Sequence, residues 1–150
     1  MAAETLRRPD SAAGRDHLQF VFHQGQGQDR PIDTVDPSKE KELTRNLAEL
    51  GATRIDYLVA NHAEQDHSGL VGRMASLHPE ARIVTNAKCK EFLKDLLLVP
   101  DDKFIVVGDG DTLALGGRTL KFMLAPWVHW PETMFTYLVE DRILFPCDFL

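Results

Sequence analysis

Four side chains in the first half of the chain have the chemistry of metal ligands. His62, Glu64, Asp66 and His67 fall within six consecutive positions. Imidazole nitrogens and carboxylate oxygens are donors that zinc, iron and manganese accept in proteins. Four ligands this close in sequence can be divided between neighbouring ions, which favours two metals over one. Clusters of this kind are most often solvated loops, but this one directly follows an apolar strand pattern at 55–60, which favours a metal site.

Two more residues of the same ligand types stand downstream of this cluster. His129 begins a stretch that reads His-Trp-Pro-Glu-Thr-Met-Phe-Thr-Tyr-Leu, and Asp148 follows a strand pattern at 142–145. There are 61 residues between His67 and His129, and 18 residues between His129 and Asp148. The first cluster is therefore not isolated, because matching ligand types recur in the second half of the chain.

The order His-x-Glu-x-Asp-His resembles the metallo-β-lactamase fold family, whose hydrolases carry His-x-His-x-Asp-His at the end of a strand. Glu64 stands where those hydrolases have their second His, and this difference resembles the diiron branch, the flavodiiron proteins. A carboxylate adds negative charge and a hard oxygen donor, which favours iron cycling between ferrous and ferric states over a zinc-hydroxide hydrolase. The stretch from His129 and the spacing to Asp148 resemble the same branch. The resemblance covers residues 32–150.

The resemblance divides the candidate ligands between two iron ions. It implies that one iron is held by His62, Glu64 and His129. The other iron would be held by Asp66 and His67. Asp148 would bridge the two irons. The family gives the second iron one more His, which follows the bridging Asp at a distance. The sequence stops at Leu150, so we expect that ligand to be absent from this chain.

The resemblance also implies a reaction, a flavin and partners. Flavodiiron proteins reduce dioxygen to water, or nitric oxide to nitrous oxide, at two irons. Their electrons come from FMN, which lies in a flavodoxin-like domain that follows the β-lactamase-like domain and is absent from this sequence. A head-to-tail homodimer brings the FMN to the diiron site of the other subunit, and a rubredoxin or a flavoprotein reductase donates the electrons. We therefore expect this chain to provide the diiron half of such an enzyme.

Two other functions remain open. One is a metal-dependent hydrolase of the same fold, with a bound hydroxide as the nucleophile, although a His would then be expected at position 64. The other is an inactive truncated fragment that keeps part of the core and binds metal poorly, because its last ligand is missing. Thermal melting with added metal separates the inactive fragment from the other two, since a ligand that binds only the native state raises its stability.

Composition excludes several other classes of function. With 150 residues, of which 43% are hydrophobic, the chain fits one folded domain and not a disordered segment. Its net charge of −6 offers no basic stripe for nucleic-acid phosphates. No apolar run approaches the roughly 18 residues of a membrane span, and Arg7 and Arg8 precede polar residues instead of a signal-peptide core. We expect a cytoplasmic protein with no membrane and no nucleic-acid partner.

Hydrophobic periodicity predicts alternating strands and helices followed by β-hairpins. The predicted strands are 17–22, 55–60, 82–85, 103–107, 112–115, 118–124, 134–139 and 142–145, and the predicted helices are 37–50, 69–77 and 86–97. Two-residue hairpin turns are predicted at 116–117 and 140–141. This order is of the mixed α/β (α+β) class and fits part of a metallo-β-lactamase-like αββα sandwich. The predicted domain spans residues 17–150, and residues 1–16 match no pattern.

Both cysteines and both tryptophans receive a structural interpretation. Cys89 falls on the apolar side of a predicted helix and is expected to be a small core residue. Cys147 adjoins Asp148, but neighbouring strand residues face opposite sides of a sheet, so Cys147 is predicted to face away from the metals. Trp127 and Trp130 are expected either to pack in the core or to form a wall of the pocket around the irons.

Overall fold

The structure is a computed structural model that describes residues 4–5, 21–22, 30–52 and 54–149. Its strands and α-helices, in chain order, are β1 (Glu4–Thr5), β2 (Val21–Phe22), α1 (Glu40–Glu49), β3 (Tyr57–Val59), α2 (Gln65–Ser68), α3 (Val71–Leu77), β4 (Arg82–Thr85), α4 (Ala87–Leu97), β5 (Phe104–Val106), β6 (Thr112–Ala114), β7 (Thr119–Leu124), β8 (Met134–Leu138) and β9 (Ile143–Phe145). Short 3₁₀ helices lie at Pro37–Lys39, Asp101–Lys103 and Cys147–Phe149. Alternating strands and helices precede a run of strands, as the sequence predicted.

Two sheets contribute to one apolar layer at the centre of the fold. The strands β3, β4 and β5 form a parallel sheet in that order, and β6 to β9 form an antiparallel sheet. One buried cluster contains Val59 and Val84 from the parallel sheet together with Leu120, Phe122 and Met134 from the antiparallel sheet. Alternate residues of β7 and β8 are buried, as expected for strands that turn one face to the core.

Helices cover the other face of the parallel sheet. Leu43 of α1, Met74 of α3 and Leu93 of α4 belong to a second buried cluster. In β3, Leu58 belongs to this helical cluster and the next residue, Val59, belongs to the cluster between the sheets. The layers therefore run helix, sheet, sheet, which are three of the four layers of the predicted αββα sandwich.

The first predicted helix has the predicted cap but a different start. The Ser38 backbone N–H donates to Oδ1 of Asp36 at 2.8 Å, which satisfies one of the free donors of the first turn. That first turn is 3₁₀, and α1 begins only at Glu40. Gly51 follows the helix with a φ of 71°, as expected for a glycine that ends one.

A short helix, α2, lies inside the candidate ligand cluster, where no helix was predicted. The helix predicted at 69–77 was wrong at its start, because α3 begins at Val71 and α2 precedes it. The polar residues of α2 have no apolar period that could predict a helix. A Cβ at Gly69 would lie 2.5 Å from the Gln65 carbonyl oxygen and 2.6 Å from the Pro37 ring. Glycine is therefore required where the end of α2 packs against the Pro37 ring.

Both predicted hairpins are present, and each has its predicted two-residue turn. Gly116 and Gly117 join β6 to β7, and both have positive φ, as the predicted two-residue turn requires. In the second hairpin Leu138 pairs with Ile143, and the Arg142 N–H donates to the Val139 carbonyl at 3.3 Å, so residues 140–141 form the predicted turn. In both hairpins each strand stops one residue further from the turn than the hydrophobic pattern predicted.

Part of the predicted N-terminal structure lies outside the described residues. The strand predicted at 17–22 is described only at Val21–Phe22, where β2 pairs with β1 in antiparallel fashion. Most of the unmatched segment 1–16 and residues 23–29 also lie outside that part of the chain. Among the described helices, none is both long enough and apolar enough to cross a membrane.

Candidate metal centre

Hydrogen bonds fix the backbone that carries the first ligands where β3 ends. The Asn61 N–H donates to Oδ1 of Asp33 at 2.7 Å, and the Asn61 carbonyl accepts from the Met134 N–H at 2.9 Å. Further along, Oγ1 of Thr34 donates to the His67 carbonyl at 2.9 Å. These bonds pair buried polar groups, so they offset the cost of burying this irregular segment. They also hold the segment rigidly between β8 and the chain at 33–34.

The first ligand group gathers around one carboxylate oxygen of Glu64. This oxygen, Oε2, lies 3.2 Å from Nε2 of His62 and 3.0 Å from Nε2 of His129. Oδ2 of Asp148 lies 3.7 Å from each of the same two nitrogens. The hydrogen bond with His129 lowers the pKa of the Glu64 carboxyl, so it is held in its charged form. Two imidazoles and two carboxylates thus face a common point.

The second ligand group gathers around Nε2 of His67. This nitrogen lies 2.9 Å from Oδ1 of Asp148 and 3.9 Å from Oδ2 of Asp66. The potential donor atoms within each group lie within 4.8 Å of one another. Asp148 belongs to both groups, because its Oδ1 faces His67 and its Oδ2 faces the first group. The structure therefore brings all six sequence-predicted candidates together, in two groups that share Asp148.

The two candidate ligands in the second half of the chain, His129 and Asp148, lie on or next to residues with a left-handed backbone conformation. His129 has a φ of 79° and Trp127 a φ of 65°, a left-handed conformation that costs energy for a residue with a side chain. The Trp127 N–H donates to the Trp130 carbonyl at 2.9 Å and closes this loop. Cys147, with a φ of 44°, begins the 3₁₀ turn that carries Asp148. Strained backbone of this kind persists where the surrounding structure fixes it.

Buried carboxylates stand behind both buried histidines, and sequence reasoning missed them. Oε1 of Glu132 lies 2.7 Å from Nδ1 of His62, and both side chains are fully buried. Oδ2 of Asp33 lies 3.4 Å from Nδ1 of His67. Glu132 stands only three positions after His129 in the sequence, so an acidic residue near a candidate ligand was visible there. No sequence signal paired either carboxylate with its histidine, because the fold alone brings them together.

These carboxylates determine the protonation of the metal-free site. Burial lowers the pKa of His62, but the hydrogen bond and the charge of Glu132 outweigh it, so this pKa lies above its ordinary value. Burial also lowers the pKa of His67, yet Asp33 and then Asp148 raise it to about 9. Positive charge is therefore stabilised at this position of the fold, and a bound cation would replace the protons.

The donor set fits two metal ions. Nδ1 of both His62 and His67 already contacts a buried carboxylate, so Nε2 is the nitrogen that each ring turns to its ligand group. This arrangement, in which a carboxylate holds the far nitrogen of the ring, is usual for histidines that bind metals. The side chains of His62 and His67 are 0% and 3% exposed, which contradicts a solvated loop.

The cysteines and the tryptophans are not in the ligand groups. Cys89 is buried in the helical cluster, as predicted. Cys147 donates its S–H to the Met134 carbonyl at 3.3 Å, and it turns away in a 3₁₀ helix and not by the strand alternation used to predict this. Trp130 packs edge-on against the His62 ring, with 5.4 Å between centroids, and lines the site. Trp127 is 78% exposed, so a core position for it was wrong.

This combination of a helix–sheet–sheet fold and a two-group ligand set is that of a metallo-β-lactamase-like domain. The family described as "ODP family beta lactamase" matches residues 19–150. The chain belongs to this family.

Within that class of fold, the chain is similar to flavodiiron proteins. It is 39% identical over 121 residues to the flavo-diiron protein FprA2 of Clostridium acetobutylicum, which covers 79% of this chain and 30% of that relative. It is 39% identical over 119 residues to an anaerobic nitric oxide reductase flavorubredoxin of Salmonella arizonae, over 78% of this chain and 25% of that relative. The flavodiiron protein from Giardia intestinalis superimposes with a TM-score of 0.78 at 35% identity, over 85% of this chain and 31% of that chain.

These similarities confirm the recognition made from the ligand pattern. The chain spans about a quarter to a third of the length of these flavodiiron proteins. The shared part is the β-lactamase-like fold that contains both ligand groups.

Proposed function

We propose that this chain is the metal-binding part of a flavodiiron oxidoreductase that reduces nitric oxide or dioxygen at two irons. The observation that carries the proposal is the position of Asp148, whose two carboxylate oxygens face different ligand groups. A carboxylate in this position can bridge two cations. A site for a single ion has no use for a second group of donors behind the first.

The first iron would be held by His62, Glu64 and His129. The second iron would be held by Asp66 and His67, and Asp148 would bridge the two. The three carboxylates in this set supply hard oxygen donors and negative charge, which suit iron in both its ferrous and ferric states. The charge on the ligands also offsets the charge of two divalent cations in a partly buried site.

Glu64 favours this function over hydrolysis. Its Oε2 contacts the imidazoles of both His62 and His129, so it stands within the ligand group and not beside it. A zinc hydrolase of this fold would be expected to carry a neutral His there. An added anionic ligand makes the metal a weaker Lewis acid for activating water, which counts against a hydrolase.

Each ligand group combines a buried histidine with exposed donors, and the Asp66 side chain of the second group is 62% exposed. The Glu64 and His129 side chains are 41% and 42% exposed, whereas His62 and His67 are buried. A small gas would therefore approach from the side of the exposed ligands Glu64, Asp66 and His129, and Trp130 would shield the His62 ring from water. When bound, the two irons supply neighbouring open positions for the gas and the electrons that reduce it.

The remaining parts of the reaction would come from outside the described site. The electrons would come from FMN in a flavodoxin-like domain, reaching the irons across a homodimer. A rubredoxin or a flavoprotein reductase would reduce that FMN, and the name flavorubredoxin of one relative supports the first of these donors. The full name of this relative, anaerobic nitric oxide reductase flavorubredoxin, also supports nitric oxide as a substrate. Dioxygen is the second candidate. We propose a cytoplasmic location for the whole protein.

A single-turnover experiment tests this function without the flavin. The chain would be purified without oxygen, loaded with ferrous iron and analysed for iron content. About two irons per chain are expected, and less than about half an iron would contradict a diiron site. Anaerobic addition of nitric oxide should then yield nitrous oxide, because two ferrous ions supply the two electrons that convert two nitric oxide molecules and two protons into nitrous oxide and water.

Controls separate the competing functions. The His129→Ala variant should lose iron and yield no nitrous oxide, while dioxygen added to a second sample tests the other gas. Hydrolysis of a thioester or a phosphodiester by the zinc-loaded chain, without gas reduction by the iron-loaded chain, would favour the hydrolase instead. The 150-residue chain, supplied with a reductant and free FMN, is expected to turn over little, because FMN that is free in solution is not held beside the irons.

A further inference from the structure

We propose that Glu132 is a positioning residue of the metal centre, which holds the His62 ring so that only its Nε2 can bind metal. This inference deepens the proposed function and rests on it only in that His62 is a ligand. Glu132 lies in neither ligand group. It reaches the metals through His62, whose Nδ1 lies 2.7 Å from its Oε1.

The contacts of Glu132 leave its side chain little freedom. Oε1 also accepts a hydrogen bond from the Ala63 N–H, at 3.2 Å, next to His62 in sequence. The backbone carbonyl of Glu132 accepts from Nδ2 of Asn86 at 2.7 Å. Asn86 is itself fixed, because its Oδ1 caps α4 by accepting from the Cys89 N–H at 3.0 Å. Glu132 is thus anchored to α4 on one side and to the ligand segment on the other.

The placement is costly for a residue that only fills space. Glu132 is 1% exposed, and its second oxygen, Oε2, has no hydrogen-bond partner among the described residues. A buried carboxylate with an unpaired oxygen destabilises a fold compared with an apolar residue of similar volume. This loss of stability is offset by a gain in metal binding at His62. A charged acceptor on Nδ1 fixes the tautomer of the ring and makes Nε2 a stronger electron-pair donor to a metal.

A carboxylate does this better than an amide. An ionised carboxylate only accepts hydrogen bonds, so it accepts the Nδ1–H of His62 and excludes the other tautomer. An amide can accept from Nδ1–H or donate to a bare Nδ1, so it permits both tautomers. Glu132→Gln therefore keeps the shape of the side chain and removes the property on which the proposal depends.

A matched control is available in the same fold. Asp56 is also a buried carboxylate, 8% exposed, with an unpaired Oδ2 among the described residues and an ion pair of 2.7 Å with Arg54. It precedes β3, whereas His62 follows β3, so it lies at the other end of that strand. Asp56→Asn makes the same acid-to-amide change away from the ligands. Both variants would first be checked for folding by their free energies of unfolding.

The first measurement uses ¹⁵N NMR of the histidine rings in the metal-free chain, at a pH where His62 is neutral. In the parent chain His62 should be a single tautomer with its proton on Nδ1. Glu132→Gln should give a mixture of both tautomers, and Asp56→Asn should give the parent spectrum. An unchanged His62 tautomer in Glu132→Gln would overturn the proposal, and this readout needs neither metal nor gas.

The second measurement follows the same His62 signals while free zinc is set by a chelator. Zinc alone is the probe, and binding through Nε2 with a retained Nδ1–H is expected in the parent chain. Glu132→Gln should require roughly 10- to 100-fold more free zinc for half-conversion, while Asp56→Asn should match the parent. Equal zinc affinity in all three chains would overturn the proposal. Failure of gas reduction would reject the proposed function and leave these zinc and tautomer results unaffected.

Discussion

Asp148 and His67 are 81 residues apart in sequence, yet Oδ1 of the first lies 2.9 Å from Nε2 of the second. The same carboxylate turns its other oxygen, Oδ2, to His62 and His129 at 3.7 Å. One side chain therefore connects two ligand groups that otherwise share no residue. This connection is the feature on which a two-metal centre depends most directly.

Asp148→Ala should remove the shared ligand and uncouple the two irons. The second group would keep only Asp66 and His67, so we expect iron content to fall from about two per chain to about one or less. Iron analysis and the magnetic coupling of the loaded chain would measure this. Asp95→Ala, at a position outside both groups, is the control that should keep both irons. Unchanged magnetic coupling in Asp148→Ala would show that Asp148 is not the bridge.

Glu64→His should change which metal the site prefers. The substitution exchanges a charged oxygen donor for a neutral nitrogen donor between His62 and His129, which favours zinc over iron. Loading from an equal mixture of ferrous iron and zinc, followed by elemental analysis, should give a higher zinc-to-iron ratio than in the parent chain. The exposed Glu80→His is the control for an added surface histidine. A ratio that does not move would mean that Glu64 does not select the metal.

The stability of the metal-free chain should fall as the pH rises. The pKa of His67 is about 9 in the fold, against an ordinary 6.5. Because the folded value is the higher one, protonated His67 contributes stability that is fully present below about pH 6.5 and is lost as the pH rises through about 9. Denaturant unfolding at several pH values would measure this slope.

His67→Gln isolates that contribution. The free energy of unfolding of the variant should depend less steeply on pH than that of the parent chain in the same window, and this slope is compared instead of the absolute stability. Zinc affinity of the parent chain should rise over the same window, because metal binding displaces the proton. Parallel pH dependences in the parent and in His67→Gln would show that another group is responsible.

The sequence predicted most of the ligand set, because local spacing and residue type carry that information. His62 and Glu64 are two positions apart, and the order of such residues distinguishes a diiron pattern from a hydrolase pattern. The contact between Glu132 and His62 joins residues 70 apart. No periodicity relates those two positions, so only the packing of the loop at 125–133 on the ligand segment could reveal it.

The limits of the secondary-structure prediction have a similar cause. The strand Arg82–Thr85 was predicted with the bounds that the structure gives it, because the buried β-branched residues Ile83 and Val84 form its centre. The helix α2 was missed because its residues serve the site and not the core, so they show no apolar face. Trp127 was expected in the core or the pocket, but it is exposed on a loop whose left-handed backbone no hydrophobic pattern indicates.

Gly69→Ala should destabilise the chain through the link between α2 and α3. The new Cβ would lie 2.5 Å from the Gln65 carbonyl oxygen and 2.6 Å from the Pro37 ring, so the backbone would have to shift. Overpacking of this kind costs about 1–3 kcal/mol, which denaturant unfolding would measure. Gly72→Ala is the matched control, since its Cβ would meet nothing closer than 3.5 Å and alanine favours the helix. Because α2 carries Asp66 and His67, Gly69→Ala should also weaken zinc binding. Equal stability of the Gly69→Ala and Gly72→Ala variants would mean that the close contact at Gly69 is easily relieved.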